Sequence, residues 1–418
     1  MTTRQVETVI VGGGQAGLAL SYYLKQEGRE HVVLERAPAV ANAWRNQRWD
    51  SFTLVTPTFR SECRARNIKE MIHTDSCPWP RSSSTSTTTC CGLIRQFTVA
   101  SKPTASRKLE RDTSCAPVKA SMKPNVVIAT GLYQAPKIPK LSEHLPEEIL
   151  QIHSIEYKNA SSLPAGAVLV VGTGQSGAQI AEELYQSGRK VYLSVGSAAR
   201  VPRRFRGRDI NDWFTRIGLF DTKVEELKSP RDKFSYHPQI SGKNGGHSLN
   251  LHQFARDGVV LLGRVRDAHE GKLILAPDLH ETLEKVDQFE INALQKINDY
   301  IDRAALKAPM ESIPELYDGY SQELLTELDL KACGISTVIW ATGYTYDYSL
   351  VKLPVVDADG YPIQKRGVTP FDGLYFLGMP WLHNRKSGIL FGVGGDAAHL
   401  AENIAARSAS RVPVEVSS

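Results

Sequence analysis

Two stretches of the chain carry one hydrophobic rhythm, 160 positions apart and in step. The first runs from Glu7 to Ala37 and the second from Ala167 to Ser197. Each opens on an apolar, β-branched run (TVIV at 8–11, AVLVV at 167–171). Each continues through a glycine-rich break into about a dozen residues with apolar positions at helical spacing. Leu24 of the first falls on Leu184 of the second, and the closing Gly28 on Gly188. A second apolar run follows in both. The pattern predicts strand, turn, helix and strand, twice.

The break has the form G-x-G-x-x-G in both copies: Gly12, Gly14 and Gly17, then Gly172, Gly174 and Gly177. In such a turn the glycines allow a tight bend, close approach of backbone to a pyrophosphate and close helix–strand packing. The helix N-terminus adds free N–H donors and the positive end of the helix dipole. Two such units predict two dinucleotide sites and electron transfer between two cofactors. Gln15 and Ala16, and Gln175 and Ser176, complete the candidate turns. The copies differ where a ribose would sit. Glu35, with Arg36 after it, ends the second strand of the first copy, and a carboxylate there accepts hydrogen bonds from a ribose diol. Val195 holds the aligned place in the second copy and is followed by Ser197, Arg200, Arg203 and Arg204. Hydroxyl and guanidinium groups without a carboxylate suit a ribose 2′-phosphate. The first site is therefore assigned to FAD and the second to NADPH, with Ser197, Arg200 and Arg204 as the phosphate candidates.

Further along, NVVIATG (125–131) and TVIWATGY (337–344) each read as a buried strand closed by glycine. They suggest paired crossings between two domains, with Thr130, Gly131, Ala341, Thr342 and Gly343 near the cofactors. Trp44, Arg45 and Trp49 are candidates to stack on and pair with the first cofactor. Residues 278–306 predict one long helix whose core face holds Leu283, Val286, Phe289, Leu294, Ile297 and Ile301. A strand with Gly378, then Gly392, Gly394 and Gly395 before a helix near Asp396, suits the flavin end of FAD.

Composition narrows this picture. With 418 residues and 41 % hydrophobic content, the chain is expected to form two or three domains with real cores. A net charge of +5 does not argue for nucleic acid. No apolar run has the length of a membrane span. The first strand pattern starts by residue 7, so a secretory leader is not expected and a cytoplasmic location is. None of the six cysteines forms a C-x-x-C pair, which argues against a redox disulfide, and no cluster has zinc spacing. His247 and His252 are read as structural.

Taken in order and spacing, GGGQAG at 12–17, WRNQRWDSFTLVTP at 44–57, ATG at 129–131, GTGQSG at 172–177 and ATGY at 341–344 resemble the flavin-containing monooxygenase and Baeyer–Villiger superfamily, and especially its YUCCA-like members. The resemblance spans residues 1–58 and 125–405. It implies an α/β fold with two Rossmann-like domains, the NADPH domain inserted into a discontinuous FAD domain: 1–162, 163–334, 335–410 and a tail at 411–418. It implies hydride transfer from NADPH to FAD and a C4a-peroxyflavin that oxygenates a small organic substrate with O₂. It assigns no catalytic side chain and leaves the oligomeric state open. Two alternatives stand beside it: a flavoprotein reductase without oxygenation, and an inactive nucleotide-binding protein. Two departures are local. The family signature F-x-G-x-x-x-H-x-x-x-[YWF] keeps His153 and Tyr157 but has Glu147 and Ile149 elsewhere, and Thr58 stands after Pro57 where many members have Asn. A third is larger. Residues 59–124 carry 12 Lys/Arg against 5 Asp/Glu, hold five of the six cysteines and show no periodicity. This stretch reads as coded out of frame with its neighbours, and irregular structure and weak FAD binding are expected of it.

Overall fold

The computed structural model describes residues 6–56, 124–196, 199–234 and 238–409. The irregular structure expected of 59–124 falls outside the described residues, Pro124 apart, as does the candidate Ser197.

Two parallel sheets organise the described chain. In the first, the strands run in the order Leu374–Phe376, Asn125–Ile128, Thr8–Val11, His31–Leu34. The helix Gln15–Gln26 covers it, packed on the C-terminal helix Val393–Ala409. Ile10, Leu20, Leu24, Val127, Phe376, Leu400 and Ile404 form their shared core. Glycine at 28, with φ of +68°, ends the first helix in the left-handed turn that Cβ-bearing residues avoid.

The second sheet has the order Val260–Leu262, Val191–Ser194, Ala167–Val171, Ile335–Trp340, Leu150–His153, again parallel throughout. Ala167–Val171 is buried at every position, as a strand covered on both faces requires. This sheet takes strands from both sides of the expected limits at 163 and 334. Leu150–His153 precedes residue 163 and Ile335–Trp340 follows residue 334, yet both hydrogen-bond within the second sheet. The chain passes from one sheet to the other over 129–149 and again after Trp340. These crossings are paired: Ala135–Pro136 and Tyr344–Thr345 form an antiparallel ribbon between the domains.

The long helix spans Leu279–Arg303. Leu279 and Leu283 pack in the second-domain core, while Ile297 and Ile301 join Trp213, Phe214 and Phe220 in a separate cluster. Phe289, expected on the core face, is exposed, because only one stripe of this helix meets other elements. Among the described residues no helix is long and apolar enough to cross a membrane.

Candidate functional site

The two glycine turns are built alike. Gly12 (φ +113°) and Gly172 (φ +105°) take a backbone conformation closed to side chains. A Cβ on Gly12 would collide with the Ala129 carbonyl oxygen, and one on Gly172 would lie 2.7 Å from that of Ala341. The two A-T-G segments thus wall the two turns from the same side. Gly17 and Gly177 let each helix sit on its strand, since a Cβ there would strike the carbonyl oxygens of Gly12 and Gly172. Gly14 and Gly174 differ: nothing lies within 4 Å of where their Cβ would be. That open space stands at the N-terminus of a 12-residue helix in each case, which is the cradle a pyrophosphate needs. The glutamines match too. Gln15 Nε2 donates to Gly388 O at 3.0 Å, and Gln175 Nε2 to Pro238 O at 2.9 Å.

Around the first turn, Glu35 accepts the N–H groups of Gly13 and Ala37, both at 2.8 Å. Two bonds leave carboxylate lone pairs for a hydroxyl ligand. A cavity of about 1150 Å³ opens here. Gly12, Gly14, Gln15, Ala16, Glu35, Arg36, Trp44, Trp49, Thr130, Gly131 and Gly378 line it, and so do Gln175, Ser176 and Gln179 from the second turn. Gly378 permits close passage, because a Cβ there would lie 2.5 Å from that of Ala16. Trp49 is also core, meeting Phe52 edge-on at 5.0 Å. Arg45 is not among the lining residues. Arg48 is, with its guanidinium 5.1 Å from the ring of Trp44, 5.2 Å from Phe52 and 5.4 Å from Tyr133. Its Nε is buried without a hydrogen-bond partner among the described residues. The arginines of this segment were expected near the first cofactor, and of the two it is Arg48, caged by Trp44, Phe52 and Tyr133, that lines the cavity. Thr342 and Gly343 serve the crossing ribbon instead: Thr342 Oγ1 bonds Lys137 O, and Gly343 O takes the N–H of Lys137 at 3.0 Å.

The second-site arginines divide. Arg200 is buried: its Nε and Nη2 donate to Glu290 Oε2 at 2.9 and 2.6 Å, and Nη1 lies 2.9 Å from Asp287 Oδ1. His252, wholly buried, accepts the Gly319 N–H on Nδ1 at 3.0 Å, so its Nε2 carries the proton toward Asp287 Oδ2 at 3.1 Å. Burial opposes ionisation of Asp287, yet hydrogen bonds from His252 and Tyr320 and the charge of Arg200 hold its carboxyl below the usual range. Arg200, expected to meet a 2′-phosphate, is thus consumed by structure. The reason is the long helix, which brings Asp287 and Glu290 to it from 87 and 90 residues along the chain. Arg203 is likewise buried against Asp209, Val55 O and Ser241 O. Arg204 is exposed and, among the described residues, bonds the carbonyls of Gly245 and Gly246 at 3.0 and 2.9 Å.

The remnants of the family signature are structural. His153 Nε2 meets Gly343 O at 3.0 Å, and Tyr157 donates to Glu183 on the helix Gln175–Gln186 at 2.9 Å, so both hold the segment against the second-sheet half of the chain. His247 meets the buried carboxylate of Glu182 at 2.6 Å. That hydrogen bond raises the imidazole pKa above its usual 6.5, against the effect of burial. The stabilisation is therefore complete below about pH 6.5 and is lost as pH rises through the folded-state value. The ring is 36 % exposed, so its contribution stays under about 1 kcal/mol. Wild type is expected to lose more thermal stability than Glu182→Gln between about pH 6 and about pH 8.5. Parallel melting curves check this.

Comparison with known proteins agrees with this geometry. The family model described as NAD(P)-binding Rossmann-like domain matches residues 10–72, and that described as pyridine nucleotide-disulphide oxidoreductase matches 106–206. An uncharacterized CzcO-like oxidoreductase of Geobacillus kaustophilus is 30 % identical over 410 residues, covering 96 % of this chain and 98 % of that protein. The rice indole-3-pyruvate monooxygenase YUCCA8 is 27 % identical over 215 residues, 48 % of this chain and 50 % of that protein. The fold is shared with a flavin-containing monooxygenase from Stenotrophomonas maltophilia (TM-score 0.54, 17 % identity, 97 % and 100 % coverage). It is shared equally with a bacillithiol disulfide reductase from Bacillus cereus (0.53, 18 %, 97 % and 100 %). The chain belongs to the CzcO-like oxidoreductases. The two open glycine cradles fit two dinucleotides, in keeping with the NAD(P)-binding match.

Proposed function

We propose that the protein is an NADPH-driven monooxygenase of small organic substrates, with FAD at the first glycine turn and NADPH at the second. The observation that carries this reading is the shared cavity. Residues of both turns face one space, so two cofactors and a substrate can meet without a carrier. Bound FAD would take hydride from NADPH and supply electrons to O₂. The chain's own part is positioning. Gly14 admits the pyrophosphate, and Glu35 holds the ribose. Arg48 offers positive charge from an aromatic cage that excludes water. Gln175 and Ser176 present the second cofactor to the same space. Arg204 replaces Arg200 as the residue we assign to the 2′-phosphate.

A reductase that passes electrons elsewhere would use the same cradles. The test is anaerobic addition of NADPH to purified, flavin-loaded protein, then admission of O₂ with candidate substrates. Bleaching of the flavin followed by one oxygenated product per NADPH supports the proposal. Bleaching and reoxidation with hydrogen peroxide alone, across substrate classes, favours the reductase. Absence of any bleaching overturns both.

A further inference from the structure

One wall of the cavity is apolar and carries an arginine without a hydrogen-bond or ion-pair partner among the described residues. The loop 380–391 packs against residues 214–224, joined by Arg385 N–H to Thr222 O at 3.0 Å and Val224 N–H to His383 O at 2.9 Å. Phe220 lies between Phe214 and Phe391, with ring centroids 6.2 and 5.1 Å away. All three phenylalanines border the cavity, and so does Arg385. The neighbouring Lys386 pairs with Asp221. The Arg385 guanidinium has no carboxylate or carbonyl partner among the described residues, and only the Trp381 ring stands near it, at 5.8 Å. Burial lowers its pKa, with no neighbouring charge opposing the effect. Arg385 is half-buried, and withdrawing a cation from water without a counter-ion is costly, so an anion that arrives with the ligand would complete such a site. The planar guanidinium fork matches a carboxylate.

We propose that Arg385 anchors the carboxylate of the substrate, and that the substrate is an organic acid whose apolar ring or chain lies against Phe214, Phe220 and Phe391. This rests on reading the cavity as the place where substrate meets the cofactors. A cofactor phosphate is a weaker match, because the aromatic wall offers it no donors and the glycine cradles already accept the pyrophosphates.

The test is calorimetric titration of flavin-loaded protein with 3-phenylpropionate and with 3-phenylpropionamide, which share shape and differ in charge. It reads binding alone and does not depend on oxygenation, so its failure and that of the proposed reaction are separable. The acid is expected to bind about tenfold or more tighter than the amide, the worth of one charge-assisted pair. Arg385→Gln is expected to erase that difference with flavin content as in wild type. Arg385→Lys should keep part of it. Equal binding of acid and amide to wild type, or binding of neither, overturns the proposal. So does a preference that survives in Arg385→Gln. Loss of flavin, or a raised KM for NADPH in Arg385→Gln, overturns it in favour of a cofactor phosphate. If Arg385→Gln does not fold, the wild-type comparison and Arg385→Lys still decide the matter.

Discussion

Gly14→Val is expected to purify folded but colourless, whereas Gly174→Val keeps its flavin and loses reduction by NADPH. Both glycines have ordinary backbone angles (φ −82° and −64°), and neither has an atom within 4 Å of an added Cβ. The fold therefore tolerates a side chain at either place. The space that chain would fill is the one the pyrophosphate requires, so the cost falls on binding. Gly17→Ala is the contrasting control. Its Cβ would collide with the carbonyl oxygen of Gly12, so loss of flavin there accompanies loss of structure. Flavin-to-protein absorbance ratios and far-ultraviolet circular dichroism separate the cases. Equal flavin in Gly14→Val and Gly174→Val would falsify the assignment of the two sites.

Arg200→Ala is expected to destabilise the protein by about 3–5 kcal/mol, because it strands the carboxylates of Asp287 and Glu290 away from water. Arg204→Ala, at an exposed position, is expected to stay within about 0.5 kcal/mol of wild type. It should weaken NADPH about tenfold and leave NADH unchanged, as removal of one charge-assisted contact does. Urea denaturation and cofactor titration on both variants give the comparison. An Arg200→Ala protein as stable as wild type but selectively blind to NADPH would return Arg200 to the 2′-phosphate.

The two arginines show what can be read from a linear pattern and what cannot. Both lie in the same short basic run after the second-copy strand, and nothing local distinguishes them. The difference comes from Asp287 and Glu290, which belong to a helix far along the chain. Trp44-to-Trp49 behaves the same way. Its composition pointed to the first cofactor, but which arginine faces the cavity depended on how the short helix Asn42–Arg45 is set, and Arg48 rather than Arg45 lines it.

The paired turns were legible because their physics is local. A G-x-G-x-x-G between an apolar run and a helical stretch dictates strand, bend and helix with contacts no more than a few residues apart. The identity of Glu35 and Val195 is local in the same sense, since each ends the strand that starts at its own turn's helix. The two open cradles and the strands and helix beside each follow from those segments alone. Sheet membership does not. Leu150–His153 and Ile335–Trp340 are apolar runs that could complete either sheet, and only their register beside Ala167–Val171 puts both in the second. The cavity that joins the turns, the buried ion pairs of Arg200 and the place of Arg385 on the apolar wall arise from residues up to hundreds of positions apart. Their contacts depend on how the sheets and loops pack, and tertiary structure alone decided them.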